Sequence, residues 1–348
     1  MKKMLFVSSS SAEKLNAMYE AFRDIDGIIV DISYKTDTYS TYYNDKRSFI
    51  DKVFSKVKLP IDKDKHNKRI IKKCKEVIYD YIFIVKGNHI KPSTLKVIKR
   101  INTNTKLISW TQDDMFAWHN RSLYYTWGVK YYDLIVTQKS YNCNKYELPS
   151  LGAKNILFQN KSFLPRIHKP CEDCNKIEFK HDLLFIGFAE KERFESMNYL
   201  AKNGIKVAIY GSGWDKEIFK NNADKNLIVY YKNLVNENYA NAISCSKISL
   251  CFLRKQNRDL QTSRTVEIPA CGGFMLAEKT REQMDLFEDG KEAIYFSNDD
   301  ELLKNVKYYL ANEKERELIR SEGLKKCLDS DYSYQNRAKE IIQKVENL

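Results

Sequence analysis

Short, unbroken apolar runs recur along the chain, each followed by a polar stretch that carries apolar residues at helical spacing. MLFV (4–7), IIVDIS (28–33), YIFIV (81–85), LISW (107–110), DLIVTQ (133–138) and NILFQN (155–160) form one series. Continuous rather than alternating apolar character is what strands buried on both faces of a parallel sheet require. A second series runs through DLLFIGF (182–188), KVAIYGSGW (206–214), NLIVYY (226–231), KISLCFL (247–253), 274–277 and AIYF (293–296). Between strands, Ile70, Ile71, Cys74, Val77 and Ile78 mark a helix expected over 65–79, and Pro92 opens another at its first turn. Helices are also expected over 12–22 and 190–203, through ELLKNVKYYLAN and EKERELIRSEGLKKCL, and over 332–345. The small-residue loop SSSS (8–11) follows the first strand, and 34–49 has no period.

This alternation predicts the α/β class, with two Rossmann-like domains facing across a cleft. The expected boundaries are 1–164 and 182–331, with a proline-interrupted linker at 165–181 and a last helix, about 332–348, packing back on the first domain. The length of 348 residues and 43% apolar content suffice for two cores. No apolar run approaches the roughly 18 residues of a membrane span, and MLFV is too short for a signal peptide. A cytoplasmic protein is expected.

Charge adds to the picture because it is uneven. The whole formal excess of +13 falls within residues 1–165, most of it in 51–100. Such a field attracts phosphates, anionic glycans or an acidic membrane face, so peripheral contact at the inner face of a membrane is an expectation of the basic domain. Nucleic acid is not expected as a partner, because the lysines lie on one helix and loops without a reading motif. The eight cysteines follow no regular spacing and are expected as reduced thiols. His168, Cys171 and Cys174 give H-x2-C-x2-C, but a closed zinc site needs a fourth ligand, so no metal is expected. NDD at 298–300 reads as a turn and a poor metal motif.

The most informative chemistry lies at 254–278, RKQNRDLQTSRTVEIPACGGFMLAE. A buried strand leads into a polar loop with Arg254, Lys255 and Asp259. Thr262 or Ser263 then caps a short helix with Arg264 and Glu267, which stops at Cys271-Gly272-Gly273. Free N–H groups at a helix start together with fixed guanidinium groups hold a diphosphate. Glu267, one turn in, is placed to accept ribose hydroxyls.

That segment resembles the C-terminal half of bacterial glycosyltransferases of the GT-B fold, specifically the CgeB-like (spore-maturation-like) group, and the wider glycosyl transferases group 1 family. The resemblance rests on NRD, TSR, VEIPACGGFML, FEDGKEAIYF and ELLKNVKYYL, and is specific from about 182 onward. It implies a glycosyltransferase that moves a sugar from a nucleotide-diphosphate sugar to a glycan, lipid-linked or protein acceptor in bacterial cell-surface polysaccharide or glycoprotein synthesis. It implies Glu267 on the ribose and Asp259 toward the sugar or its phosphates, eight residues apart, a spacing that favours retention. It also implies donor contacts from Arg193, Gly187, Tyr210, Gly211 and Gly213, and no metal or other cofactor beyond the donor itself. In the first domain it matches WTQDD, where Asp113 or Asp114 is expected to bind acceptor hydroxyls and Trp110 or Trp118 to stack on a sugar. His119 would be a general base, which instead favours inversion. A nucleotide-sugar epimerase or hydrolase on the same fold, and a basic nucleic-acid-binding protein, are the alternatives.

Overall fold

The computed structural model describes residues 1–8, 17–34, 53–54 and 56–348. Residues 9–11 of the serine loop, the first part of the helix expected over 12–22, and 35–49 lie outside the described residues. The chain divides into two units. The first is Met1–Asn160 together with Tyr334–Leu348, and the second is Lys161–Ser333.

The first unit holds β1 (Lys2–Ser8), β2 (Ile28–Tyr34), β3 (Tyr81–Val85), β4 (Lys106–Thr111), β5 (Leu134–Thr137) and β6 (Ile156–Phe158). All pair in parallel in the order β2-β1-β3-β4-β5-β6, with Met4 opposite Val30 on one side and Tyr81 on the other. Met4, Leu5, Phe6 and Val7 are all buried, as the unbroken apolar run required. Phe6 stacks on Phe83 with ring centroids 5.3 Å apart, and Phe22 meets Phe83 edge-on at 4.8 Å. The helices are α1 (Ala17–Arg23), α2 (His66–Glu76), α3 (Pro92–Ile101) and α4 (Leu123–Gly128).

The second unit repeats the plan with β7 (Leu183–Ile186), β8 (Val207–Tyr210), β9 (Leu227–Val229), β10 (Ile248–Cys251), β11 (Met275–Glu278) and β12 (Ile294–Phe296). Their order is β12-β11-β10-β7-β8-β9, again all parallel. Its helices include α5 (Lys191–Lys202), α6 (Asn236–Cys245), α7 (Ser263–Ala270), α8 (Asp299–Ala311) and α9 (Glu313–Asp329). NDD at 298–300 is a helix start rather than a turn. The Asn298 side chain accepts from the Glu301 N–H at 2.9 Å, and the acidic first turn suits the helix dipole. The last helix, α10 (Tyr334–Glu346), belongs to the first unit. It buries Ile341, Ile342 and Val345, lies against α1, and takes bonds from Tyr81 to Glu346 and from Gln159 to the Arg337 carbonyl. Among the described residues no helix is long and apolar enough to cross a membrane.

Both sheets have one point where the strand order turns back. From β1 the chain goes to β2 on one side and returns to β3 on the other; from β7 it runs to β8 and β9, then returns to β10. Helix crossovers diverge there, leaving a crevice beyond the carboxyl ends of the two strands, where open α/β sheets take ligands. In the first unit a polar network shapes that crevice. Lys65, left-handed at φ 55°, gives α2 no side-chain cap, so the Asp62 carboxylate takes the N–H groups of His66 and Asn67 at 2.8 and 3.0 Å. The buried Asn67 amide donates to Asp62 and the His89 carbonyl, and accepts from the Lys91 N–H and Thr94 hydroxyl. Replacing Asn67 with Ala strands those buried partners, which should cost about 2–3 kcal/mol in denaturant unfolding of the first unit.

Candidate functional site

The crevice of the second unit opens between β7 and β10, and an arginine from the helix that follows β10 spans it. Arg264, on the first turn of α7, donates from Nη1 to the Ile186 carbonyl at 3.2 Å and from Nη2 to the Phe252 carbonyl at 3.1 Å. These carbonyls close β7 and follow β10, so one planar guanidinium bridges the switch point. Arg193, 2% exposed on α5, donates to the Phe188 and Phe252 carbonyls at 3.1 and 3.5 Å. Both guanidinium groups lie over the Phe185 ring, 5.4 and 5.7 Å from its centre. Arg254 joins them by pairing with Glu190 at 2.8 Å, and the same carboxylate lies 3.5 Å from Arg193. Burial and the nearby charge of Arg264 together push the Arg193 guanidinium down to about 10, while Glu190 opposes the shift. Arg254 and Arg193 thus share Glu190, Arg264 lies beside Arg193, and Asp259 is a further acidic neighbour. This leaves a net positive pocket suited to an anion.

Backbone shape makes the crevice. Gly211 follows β8 at φ 135°, and a Cβ there would lie 2.1 Å from the Gly187 oxygen. The Gly187 carbonyl accepts from Trp214 Nε1 at 2.9 Å, and its N–H donates to the Tyr210 carbonyl, so the two loops are knitted together. Gly213, at φ 85°, packs on the Phe188 ring. Thr262 is the N-cap of α7, its N–H donating to Thr265 Oγ1 at 3.0 Å, and Ser263 is the first helical residue.

Glu267 is held by two residues the sequence did not connect with it. Tyr239 of α6 donates its hydroxyl to Glu267 Oε2 at 2.7 Å, and His168 Nε2 lies 3.9 Å from Oε1. The Leu164 N–H donates to His168 Nδ1 at 3.0 Å, so in the neutral ring the proton sits on Nε2 and faces the carboxylate. Burial holds the His168 pKa below the usual 6.5, and Glu267 offsets only part of that. In the sequence His168 lies in the stretch expected as a linker, within the H-x2-C-x2-C pattern. In the structure the stretch 164–181 packs on the second unit.

Other expected donor residues fall elsewhere. Lys255 is exposed and pairs with Glu278 at 3.0 Å. Tyr210 is in the core, stacked on Tyr230 at 4.6 Å with its hydroxyl 3.0 Å from His181, so its side chain offers nothing at the strand ends. The Asp259 carboxylate ties its own loop, accepting from the Arg254 N–H at 3.3 Å and Asn257 Nδ2 at 2.8 Å.

The first unit's crevice is a cavity of about 260 Å³ lined by Val7 and Ser8 of β1, Ile84 and Lys86 at the end of β3, His66 and His89. His66 Nε2 is 3.1 Å from the Ser33 hydroxyl, and burial lowers its pKa. Asp113 comes to the rim through a 2.6 Å pair with Lys86. Asp114 does not reach it. Its buried carboxylate accepts from the N–H groups of Phe116 and Ala117 and from Asn142, so it fixes the loop after β4. Trp110 is buried against Phe83, whereas Trp118 and His119 are exposed, the His119 carbonyl accepting from Lys58. The thiols differ from expectation as well: Cys174 and Cys245 form a disulfide.

Residues 192–343 match the family model described as glycosyl transferase-like. An alpha-glucosyltransferase solved with UDP-glucose and DNA containing an abasic site aligns over 99% of both chains, at 13% identity and a TM-score of 0.69. HepE (Alr3699) of Anabaena, solved with UDP and glucose, aligns over 100% of both chains at 11% identity and a TM-score of 0.65. Sucrose-phosphate synthase of Thermosynechococcus elongatus aligns over 100% of this chain and 99% of its own, at 9% identity and a TM-score of 0.64. The fold is the GT-B fold. No curated protein matches the sequence. The chain is thus glycosyltransferase-like in sequence over 192–343 and GT-B throughout.

Two outcomes are expected. Gly211→Ala, strained at its φ and clashing with the Gly187 carbonyl, should lower the stability of the second unit by roughly 3 kcal/mol in chemical unfolding. The buried His168 ring makes stability depend on pH. Below its ordinary pKa of 6.5 the unfolded chain takes up a proton that the folded ring resists. Stability is therefore held above that pH and lost as the pH falls below it toward the lowered folded-state pKa, with a shallower slope in His168→Gln.

Proposed function

We propose that the chain is a glycosyltransferase that holds a nucleotide-diphosphate sugar at the switch point of the second unit. It passes the sugar to a glycan, lipid-linked or protein acceptor engaged by the first. The observation that carries this reading is the arginine cluster of Arg193, Arg254 and Arg264 on the ends of β7 and β10, with Glu267 a turn away. Breaking the bond between the anomeric carbon and the donor phosphate leaves negative charge on the departing nucleotide diphosphate and positive character on the sugar ring. Guanidinium groups already fixed by carbonyls and an aromatic face meet that charge without reorganising, and one such donor is typically worth about 3 kcal/mol of barrier. On this reading the arginines and the start of α7 do the work a divalent ion does elsewhere. Glu267, aimed by Tyr239 and His168, accepts the ribose hydroxyls.

The spacing of Asp259 and Glu267 supports retention of configuration. On the acceptor side Asp113, paired with Lys86 at the rim of the first unit's cavity, is the carboxylate best placed to meet a hydroxyl. The lysines around α2, among them Lys68, Lys72 and Lys75, favour an anionic acceptor or a membrane face bearing one. The CgeB-like grouping rests on the NRD, TSR and VEIPACGGFML motifs. UDP-hexoses are the first donors to test, because two of the similar structures were solved with UDP or UDP-glucose.

Glu267→Ala should weaken UDP-sugar binding by at least about tenfold in calorimetry while leaving the circular dichroism spectrum and unfolding midpoint close to those of the parent. Undiminished affinity would remove the ribose role. Turnover of the donor with no acceptor present would move the reading to an epimerase or hydrolase.

A further inference from the structure

The stretch before β7 carries a second cluster that sugar transfer does not use. The sulfur atoms of Cys171, Cys174 and Cys245 all lie within 4.8 Å of one another, and each residue is half-buried. Cys171 and Cys174 are spaced C-x2-C and precede the second unit's first strand; Cys245 ends α6. One disulfide, between Cys174 and Cys245, accounts for two of the sulfurs, and Cys171 remains a thiol beside it. A single covalent staple has no need of the third.

We propose that, when reduced, these three cysteines bind one zinc ion, with the fourth position taken by water or a small anion. Soft thiolates select zinc over harder cations, and C-x2-C is a spacing zinc sites use. A tetrahedral ion with bonds of about 2.3 Å sets its sulfurs about 3.8 Å apart; the three already lie within 4.8 Å, and on reduction the Cys174 and Cys245 sulfurs need only part from their bonded 2.13 Å. Bonds other than the disulfide hold the backbone on both sides. The Cys171 N–H donates to Ser244 Oγ at 2.9 Å, Asp173 takes the Asn175 N–H at 3.0 Å, and the His181 N–H donates to Ser246 Oγ at 3.1 Å. Arg320 fixes the same corner through the Ser244 carbonyl at 2.6 Å. Reduction therefore frees the sulfurs without dispersing them. His168, which with the C-x2-C pair suggested a metal motif, is occupied by Leu164 and Glu267 and is not a ligand.

The surroundings fit the charge. Three thiolates around a divalent ion carry a net negative charge. Cys245 faces a cavity of about 410 Å³ whose wall includes Lys180, Lys206 and Lys247, the last paired with Asp182 at 2.7 Å. The cations stabilise the complex, and the cavity gives room for its fourth ligand.

The chemistry balances. With a phosphine reductant the sulfur–sulfur bond breaks, the phosphine takes the oxygen of one water, and that water's two hydrogens end on Cys174 and Cys245. Three S–H protons then leave to solvent as three sulfur–metal bonds form.

Cobalt is the probe. The full chain, reduced with a phosphine and titrated with Co²⁺, should develop thiolate-to-cobalt charge-transfer absorption in the near ultraviolet, saturating at one ion per chain and abolished by Zn²⁺. Cys171→Ser keeps the Cys174–Cys245 pair for folding, yet should bind cobalt at least about 100-fold more weakly. Cys143→Ser, at an exposed cysteine elsewhere, should bind as the parent does. A titration without charge-transfer bands, or undiminished affinity in Cys171→Ser, would overturn the proposal.

Discussion

A guanidinium laid across the carboxyl ends of two parallel strands is the constraint on which the second unit's site depends. Arg264 ties the Ile186 and Phe252 carbonyls on either side of the point where the strand order reverses. Taking its charge out of water is costly unless hydrogen bonds and counter-charge replace the lost hydration. Carbonyls and the Phe185 ring supply part of that replacement, but Arg193 leans on the same ring and Arg254 draws on the Glu190 carboxylate that Arg193 also needs. The cluster gathers three guanidinium groups at the strand ends, an arrangement suited to an anionic ligand.

The first unit arrives at a crevice by the same topology with different chemistry. There the switch point between β1 and β3 is lined by His66, His89 and Lys86, with Asp113 on Lys86 and the Asp62–Asn67 network setting the start of α2. One architecture thus presents a cationic pocket in one unit and a mixed imidazole, amine and carboxylate pocket in the other. Side chains on the loops, not the sheets, distinguish them.

The stretch from Lys161 to His181 links two kinds of chemistry on the second unit. At one point its His168 presents an N–H to Glu267; a few residues on, Cys171 and Cys174 meet the end of α6, whose Tyr239 binds the same glutamate. The geometry of the carboxylate therefore depends on how this stretch is fastened. A segment with two prolines and no hydrophobic period reads as a tether, because its hold on the domain comes from individual polar and sulfur contacts rather than a buried stripe.

The twelve strands of the described residues and the α/β class were legible in the sequence, most plainly where a strand buried on both faces, as β1 and β10 are, makes a continuous apolar run. The capped helix α7 was legible for a similar local reason: a capping threonine, Arg264, Glu267 and the Cys271-Gly272-Gly273 stop fall within a dozen residues. Strand order, and with it the two crevices, came only from the tertiary structure. So did the partners of Glu267, because Tyr239 and His168 lie far from it along the chain and carry no spacing signal. The roles of single carboxylates were likewise decided by burial: Asp113 and Asp114 are neighbours in sequence, yet one reaches a cavity rim and the other spends its lone pairs on backbone N–H groups. Apolar periodicity is written residue by residue. Which polar groups meet is set by how distant segments pack, and a linear pattern holds no record of that.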